Sequence, residues 1–170
     1  YQAAAYTEPA RRLEAIWDWQ THCVQDWDHQ LTRTHNMTGV PEVCDIADET
    51  GLMLKIEDGD VCQVSFTFDQ AYWNGALNHE VGMVDAYKSH PSVVMWSLGN
   101  ESGMGPNHAA MAGWIRENDP TRPIHYEGAA AEPRDAPWVD VVSRMYTRIP
   151  ELAKMAQDPA ETRPVMLCEY

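Results

Sequence analysis

The sequence predicts an α/β fold of the (β/α)8-barrel type, and two patterns indicate it. From residue 51 onward, short apolar runs rich in β-branched residues alternate with longer segments of helical spacing, as in a parallel α/β fold. Polar residues follow nearly every predicted strand, namely Glu57-Asp58, Asn100-Glu101, Glu127, Tyr146 and Glu169. Because (β/α)8 barrels build their active sites from the carboxyl ends of several strands, this placement favours a barrel over a doubly wound sheet.

The predicted strands are nearly continuous in hydrophobicity, which is typical of strands covered on both faces. They cover residues 30–35, 52–56, 93–97, 123–126, 139–145 and 165–168. Helices are predicted over residues 42–50, 69–89, 107–118 and 151–157. No G-x-G-x-x-G motif follows the first strand, so a dinucleotide-binding sheet lacks its main signature.

The domain organisation is predicted to be an N-terminal helical segment at residues 1–30 and a partial barrel at residues 31–170. A closed barrel of this type has eight strands, so a chain with about six is expected to be incomplete. Unpaired strand edges must be covered by something. We therefore expect either the remainder of a larger enzyme or self-association.

The composition limits the partners. The chain of 170 residues has 26 acidic and 12 basic residues and a formal net charge of −14. This charge repels polyanions, so neither nucleic acid nor an anionic membrane surface is an expected partner, and a neutral or cationic ligand is favoured. No apolar run approaches the roughly 20 residues that a membrane span needs, and no signal peptide is recognisable. We expect a cytoplasmic protein.

The metal-binding residue types are scattered along the chain. Cys23, Cys44, Cys62 and Cys168 form no C-x-x-C pair, and we interpret them as buried thiols rather than a disulfide or metal set. None of the seven histidines forms an H-x-x-x-H pair, so a dedicated zinc site is not expected.

Two glutamates could carry out chemistry. Glu101 follows the apolar run 93–98, and glycines at positions 99 and 103 let the backbone turn there. We expect partial desolvation at this strand end, which favours the protonated form of a carboxylic acid and suits proton donation. Glu169 follows the short apolar strand 165–168. Two such carboxylates are what glycoside hydrolysis requires, although a helix-start glutamate and an ion-paired strand-end carboxylate remain alternatives.

The sequence around Glu101 resembles the acid/base signature of family 2 glycoside hydrolases. The resemblance rests on HPSVVMWSLGNESGMG at residues 90–105, Asn107-His108, DPTRP at 119–123, YEG at 126–128, Met145-Tyr146 and ETRPVMLCEY at 161–170. It extends from about residue 45 to residue 170, and the Ser-Gly-x-Gly-x-Asn-His ending is most similar to the large β-galactosidases.

This resemblance implies a (β/α)8 TIM-barrel catalytic domain and a retaining β-glycosidase, of the β-galactosidase type, acting on terminal non-reducing β-D-galactose. The alternatives are a β-glucuronidase or β-mannosidase of the same family, or a non-catalytic carbohydrate-binding or assembly fragment.

The resemblance also implies roles for individual residues. Glu101 would be the general acid/base and Glu169 the nucleophile. Asn100 would bind the sugar 2-hydroxyl, and Tyr146 would hold the nucleophile carboxylate. His35 is similar to a strand-end histidine that the family places near the substrate, although residues 36–40 depart from the usual loop.

One departure concerns metal. In the magnesium-dependent β-galactosidases, a Glu-x-His pair after the third strand joins the acid/base glutamate on the ion. Here Val61 and Gln63 stand at the corresponding positions. Asp58, Asp60 and Glu101 could supply oxygen ligands, but we favour a solvated acidic loop. We therefore predict no dedicated metal site and no certain cofactor, with magnesium possible through Glu101.

Overall fold

The computed structural model describes residues 31–33, 41–58, 70–130 and 136–169. Its elements are β1 (Leu31–Arg33), α1 (Pro41–Thr50), β2 (Met53–Glu57), α2 (Gln70–Tyr87), β3 (Val93–Ser97), α3 (Pro106–Asn118), β4 (Ile124–His125), a 3-10 helix (Glu127–Ala130), β5 (Val142–Met145), α4 (Ile149–Ala156) and β6 (Val165–Glu169). Each predicted strand and helix from residue 30 onward has its counterpart, and the 3-10 helix is the unpredicted element. The predicted N-terminal helical segment lies outside the described residues.

The strands form two parallel groups. One sheet has the order β1-β2-β3-β4, and a second pair consists of β5 and β6. Asp140 links the two groups, because its backbone N–H donates to the Ile124 carbonyl at 2.8 Å while its carboxylate accepts the Ile124 N–H at 2.7 Å. Within the described ranges the strands do not close into a barrel.

Two strand pairs contain a shift in register. Leu54 pairs with Val93 and Lys55 with Met95, so β3 carries Val94 as an extra residue. In the second pair, Arg144 is opposite Leu167 and Met145 is opposite Glu169, so Cys168 is extra in β6. Such bulges bend the strand that contains them and increase its twist.

The main core lies between β2–β4 and the helices. Leu54, Ile56 and Trp96 are fully buried, and they belong to one cluster with apolar residues of α1, α2 and α3. The opposite face of these strands is buried but polar, with Lys55, Glu57, Ser97 and His125. The prediction that the strands are apolar on both faces is therefore wrong for β2, where charged and apolar residues alternate.

The DPTRP motif fastens the start of β3 to the end of α3. The Asp119 carboxylate accepts hydrogen bonds from Trp96 Nε1 at 2.9 Å and from the Arg122 guanidinium at 2.6 Å. Arg122 also donates to the carbonyls of Val93 and His90. Burial raises the pKa of Asp119, but hydrogen bonds from Thr121, Arg122 and Trp96 outweigh it and lower the pKa to about 2. This motif is therefore structural.

The described cysteines are both free thiols. Cys44 is buried, and burial together with Asp48 and Asp45 raises its pKa to about 11, which makes it unreactive. Cys168 is partly buried, while Cys23 and Cys62 lie outside the described residues. Within the same ranges, no helix is both long and apolar enough to cross a membrane.

Candidate active site

Glu101 lies at the carboxyl end of the main sheet, four residues after β3. Its φ of 51° is in the left-handed region, between Gly99 at 123° and Gly103 at 74°. A non-glycine residue in this region is strained, and strain of about 1–3 kcal/mol is typical of functional sites. The expected partial desolvation of Glu101 is wrong, because the residue is exposed. Its exposure leaves the carboxyl group accessible to a substrate.

Asn100 precedes Glu101 and is buried, with 4% of its surface exposed. Its carbonyl accepts a hydrogen bond from Ser102 Oγ at 3.0 Å. The chain therefore passes from a buried amide to an exposed carboxyl group within two residues. Contact of Asn100 with a sugar hydroxyl stays a prediction.

Glu169 is the last residue of β6 rather than the first residue after it. The Tyr146 hydroxyl donates a hydrogen bond to Glu169 Oε2, and the Tyr146 backbone N–H donates to the Glu169 carbonyl at 2.9 Å. Tyr146 is 70% exposed and has a φ of 53°, so it too adopts a strained left-handed backbone. The structure thus brings this tyrosine and glutamate into direct contact, while their roles stay predictions.

The other predicted site residues are less well defined. His35 and Asp60, together with Val61 and Gln63, lie outside the described residues. Asp58 is buried, and its Oδ1 lies 3.4 Å from Nδ1 of His79. Among the residues that the structure describes, no three His, Cys, Asp or Glu side chains cluster closely enough to hold a metal ion.

A buried polar layer, formed by Lys55, Glu57, Ser97 and His125, lies beneath the carboxyl ends of β2–β4. Ser97 Oγ lies 2.8 Å from both Glu57 Oε2 and His125 Nδ1. Lys55 Nζ lies 3.9 Å from Glu57 Oε2 and 3.4 Å from His125 Nδ1. Because Ser97 has one proton, donating it to Glu57 leaves its oxygen to accept from Nδ1–H of His125.

The sequence pattern does not predict this layer as a unit. The signal was the alternation of charged and apolar residues in β2, Leu54-Lys55-Ile56-Glu57, which is unusual for a strand buried on both faces. From the sequence, Glu127 is predicted only to be a carboxylate at the end of a strand. In the structure its Oε2 accepts a hydrogen bond from the Glu101 backbone N–H at 3.0 Å.

Comparison of the sequence with known proteins gives a family match and curated relatives. Residues 27–170 match the family described as "Glycosyl hydrolases family 2, TIM barrel domain". A β-galactosidase of Aeromonas hydrophila subsp. hydrophila is 38% identical over 167 residues, and one of Vibrio cholerae serotype O1 is 36% identical over the same length. Each match covers 84% of this chain but only 16% of the relative.

Solved structures show the same fold. A GH2 β-galacturonidase from Eisenbergiella tayi, bound to galacturonate, has a TM-score of 0.72 at 16% identity, covering 90% of this chain and 31% of its own. A β-glucuronidase from an uncultured Clostridium sp. has a TM-score of 0.65 at 21% identity, covering 78% and 26%. The predicted TIM-barrel class is therefore confirmed. The chain belongs to glycosyl hydrolase family 2 and matches its TIM barrel domain.

Proposed function

We propose that this chain carries the catalytic carboxylates of a retaining β-galactosidase that hydrolyses terminal non-reducing β-D-galactose. The main observation behind the proposal is that hydrogen bonds hold two strand-end glutamates in place in a chain of family 2. The Glu169 carboxylate accepts a hydrogen bond from the Tyr146 hydroxyl, and the Glu101 backbone N–H donates one to the Glu127 carboxyl group. Both Glu101 and Tyr146 adopt strained backbone conformations, which is the pattern expected where position matters for chemistry.

The proposed reaction is a double displacement. The Glu169 carboxylate attacks the anomeric carbon while Glu101 gives its proton to the departing glycosidic oxygen, so the carbon–oxygen bond breaks and a glycosyl ester forms on Glu169. Glu101, now a carboxylate, then takes a proton from a water molecule. The water oxygen attacks the anomeric carbon, and the Glu169 carboxylate is released.

Two neighbouring side chains would assist these steps. The Tyr146 hydroxyl orients the Glu169 carboxylate before attack and stabilises its returning negative charge when the ester breaks. Asn100 would bind the sugar 2-hydroxyl, a contact that strengthens in the oxocarbenium-like transition state.

Two observations support a neutral galactoside over a uronic acid. The curated β-galactosidases that the sequence matches are 36–38% identical to this chain. The net charge of −14 also repels an anionic sugar, because a uronic acid brings a further carboxylate to an acidic molecule.

The substrate is tested by measuring kcat/KM of the complete natural protein for nitrophenyl β-galactoside, β-glucuronide and β-mannoside. We expect the galactoside to be preferred. A preference for the glucuronide or the mannoside would show that the protein acts on that sugar instead. Absence of hydrolysis with all three would favour a non-catalytic carbohydrate-binding fragment.

The mechanism is tested separately. We expect proton NMR to show β-galactose as the first-formed product. A 2-deoxy-2-fluoro-galactosyl fluoride should label Glu169, as detected by peptide mass spectrometry, and should leave the Glu169→Gln variant unlabelled. First formation of the α-anomer, or a label on another residue, would contradict the assignment.

A further inference from the structure

We infer that Glu127 is a positioning residue for Glu101, acting as the centre of a brace formed by Tyr126, Glu127 and Gly128. This inference rests on the proposed acid/base role of Glu101. The brace follows β4, directly beside the loop that follows β3. Its three consecutive residues contact that loop at residues 101 and 103.

The first contact is at Glu101 itself. Its backbone N–H donates to Glu127 Oε2 at 3.0 Å, and Glu127 is only 8% exposed. Because the left-handed backbone of Glu101 is strained, it persists only where surrounding contacts hold it. Glu127 provides such a contact on the peptide group that sets the direction of the Glu101 side chain.

The second contact is at Gly103. The Tyr126 hydroxyl donates a hydrogen bond to the Gly103 carbonyl. Gly128 packs so closely against the same carbonyl that a Cβ at position 128 would lie 2.5 Å from its oxygen. The loop is therefore held at residues 101 and 103, and its backbone cannot rotate at Glu101 without breaking one of these contacts.

Tyr126 is itself fixed by aromatic packing. Its ring stacks on His108 with centroids 4.2 Å apart and an angle of 23° between the planes. The Trp138 ring lies 6.0 Å away on a tilt of 30°. His108 is buried on the first turn of α3, so this helix supports the brace. His108, in the Asn-His segment after Glu101, thereby has a structural role.

The effect on chemistry should depend on the leaving group. A poorly acidic alcohol needs a well-aimed proton donor to depart, whereas a strongly acidic phenol departs almost unaided. If Glu127 aims Glu101, its loss should slow the first class of substrate selectively. A general loss of folded protein would slow both classes by the same factor, because the active fraction cancels in the ratio of the two rates.

The first experiment compares kcat/KM for phenyl and 2,4-dinitrophenyl β-D-galactoside in the complete natural protein and its variants. Glu127→Ala should lower the value for the phenyl substrate about 100-fold, near the lower limit of general acid catalysis, with a much smaller loss for the dinitrophenyl substrate. Glu127→Gln keeps an oxygen acceptor for the Glu101 N–H and should recover most of the ratio. An unchanged ratio in Glu127→Ala would overturn the inference.

The second experiment does not need activity. Amide hydrogen exchange, measured on peptides that span residues 99–103, should be about tenfold faster or more in Glu127→Ala than in the wild type, because the hydrogen bond of the Glu101 N–H is lost. Glu127→Gln should stay near the wild type, and Glu117→Ala, at an exposed site on α3, serves as the control. A wild type without glycosidase activity would refute the proposed function, yet exchange would still test the brace. Conversely, if the wild type is active but exchange in Glu127→Ala is unaltered, the brace is refuted and the proposed function still stands.

Discussion

The strands that carry the two proposed catalytic glutamates differ in how deeply they are buried. Beneath Glu101, four of the five residues of β3 are buried, and the strand packs into the main hydrophobic core. Beneath Glu169, all five residues of β6 are only partly buried, and α4 has no buried residue. Apolar burial is the dominant favourable term in folding. The loop that carries Glu101 therefore follows a well-packed strand, whereas β6, which carries Glu169, depends more on polar contacts.

Those polar contacts centre on Arg163, just before β6. Its guanidinium donates to the carbonyls of Ala136 and Val139 and pairs with the Glu161 carboxylate at 2.8 Å. The hydrogen bonds from Arg163 lower the pKa of Glu161 to about 2, against a smaller opposing effect of burial. The ETRP sequence thus attaches β6 to the chain before β5.

The largest expected effect is on activity. Glu101→Gln and Glu169→Gln should each lower turnover of the complete protein by at least about 100-fold, because each removes a group needed in both half-reactions. Azide should rescue only variants with space for it, such as Glu169→Ala. Steady-state kinetics test this, and a Glu169→Gln protein that keeps more than a few per cent of wild-type turnover would refute the role.

The largest stability effect should come from the buried polar layer. Lys55→Met leaves the Glu57 carboxylate buried without the Lys55 ammonium, and we expect a loss of about 3 kcal/mol in the free energy of unfolding. Urea denaturation measures the loss. In the control Lys55→Met/Glu57→Met, which removes both charges, the loss should be smaller. An equal or larger loss in the double variant would show that the charge pair is not the cause.

Arg163→Ala should lower the free energy of unfolding by about 2 kcal/mol, because carbonyl hydrogen bonds and a charge pair are lost together. We expect the damage to be local. Hydrogen exchange should accelerate in β5 and β6 while the amides of β2 and β3 stay protected. Exchange that accelerates equally in both regions would mean that they unfold as one unit, and that β6 is not held separately from the main sheet.

Acid should weaken the main sheet through Asp119. Its folded pKa is lowered from 3.8 to about 2, so the carboxylate contributes stability above pH 4 that is lost as the pH falls through 2. The contribution is about 2 kcal/mol. Thermal melting between pH 5 and pH 2 should therefore show a shallower decline in Asp119→Asn than in the wild type. Parallel declines would contradict the assigned shift.

Metal removal should have the smallest effect. Val61 and Gln63 stand where magnesium-dependent relatives are expected to carry Glu and His, so chelation with EDTA should change turnover little. A large loss that magnesium restores would show that residues such as Asp58 and Asp60 bind the ion, and that the acidic-loop interpretation is wrong.

The sequence predicted the positions of the strands well, because β-branched apolar runs and the residues that punctuate them are local signals. The run 93–97 and the observed strand Val93–Ser97 coincide. Contacts across the sheet are different, since they depend on register. Nothing local to Glu127 indicates that its carboxylate meets the Glu101 N–H, and nothing local to Lys55 names His125 as its neighbour.

The exposure of Glu101 also escaped prediction. A buried strand ends at Ser97, and hydrophobicity continues through Leu98, so the following carboxylate was expected to be partly buried. The left-handed backbone at residues 99, 101 and 103 turns the chain outward instead. Glycine at two of these positions signalled a turn, but not its direction.

Because β3 and β6 each contain a register shift, the position of the glutamate that follows the shift depends on the length of the strand. Within the paired stretches, each of these strands has one residue more than its partner, Val94 in β3 and Cys168 in β6, and each extra residue precedes a proposed catalytic glutamate. Deleting Cys168 would regularise the pairing, but it would also remove the bend and the added twist that the bulge gives β6 directly before Glu169. Deletion of Val94 or Cys168 should therefore lower activity even where folding survives, so β3 and β6 cannot change their length freely at these two positions.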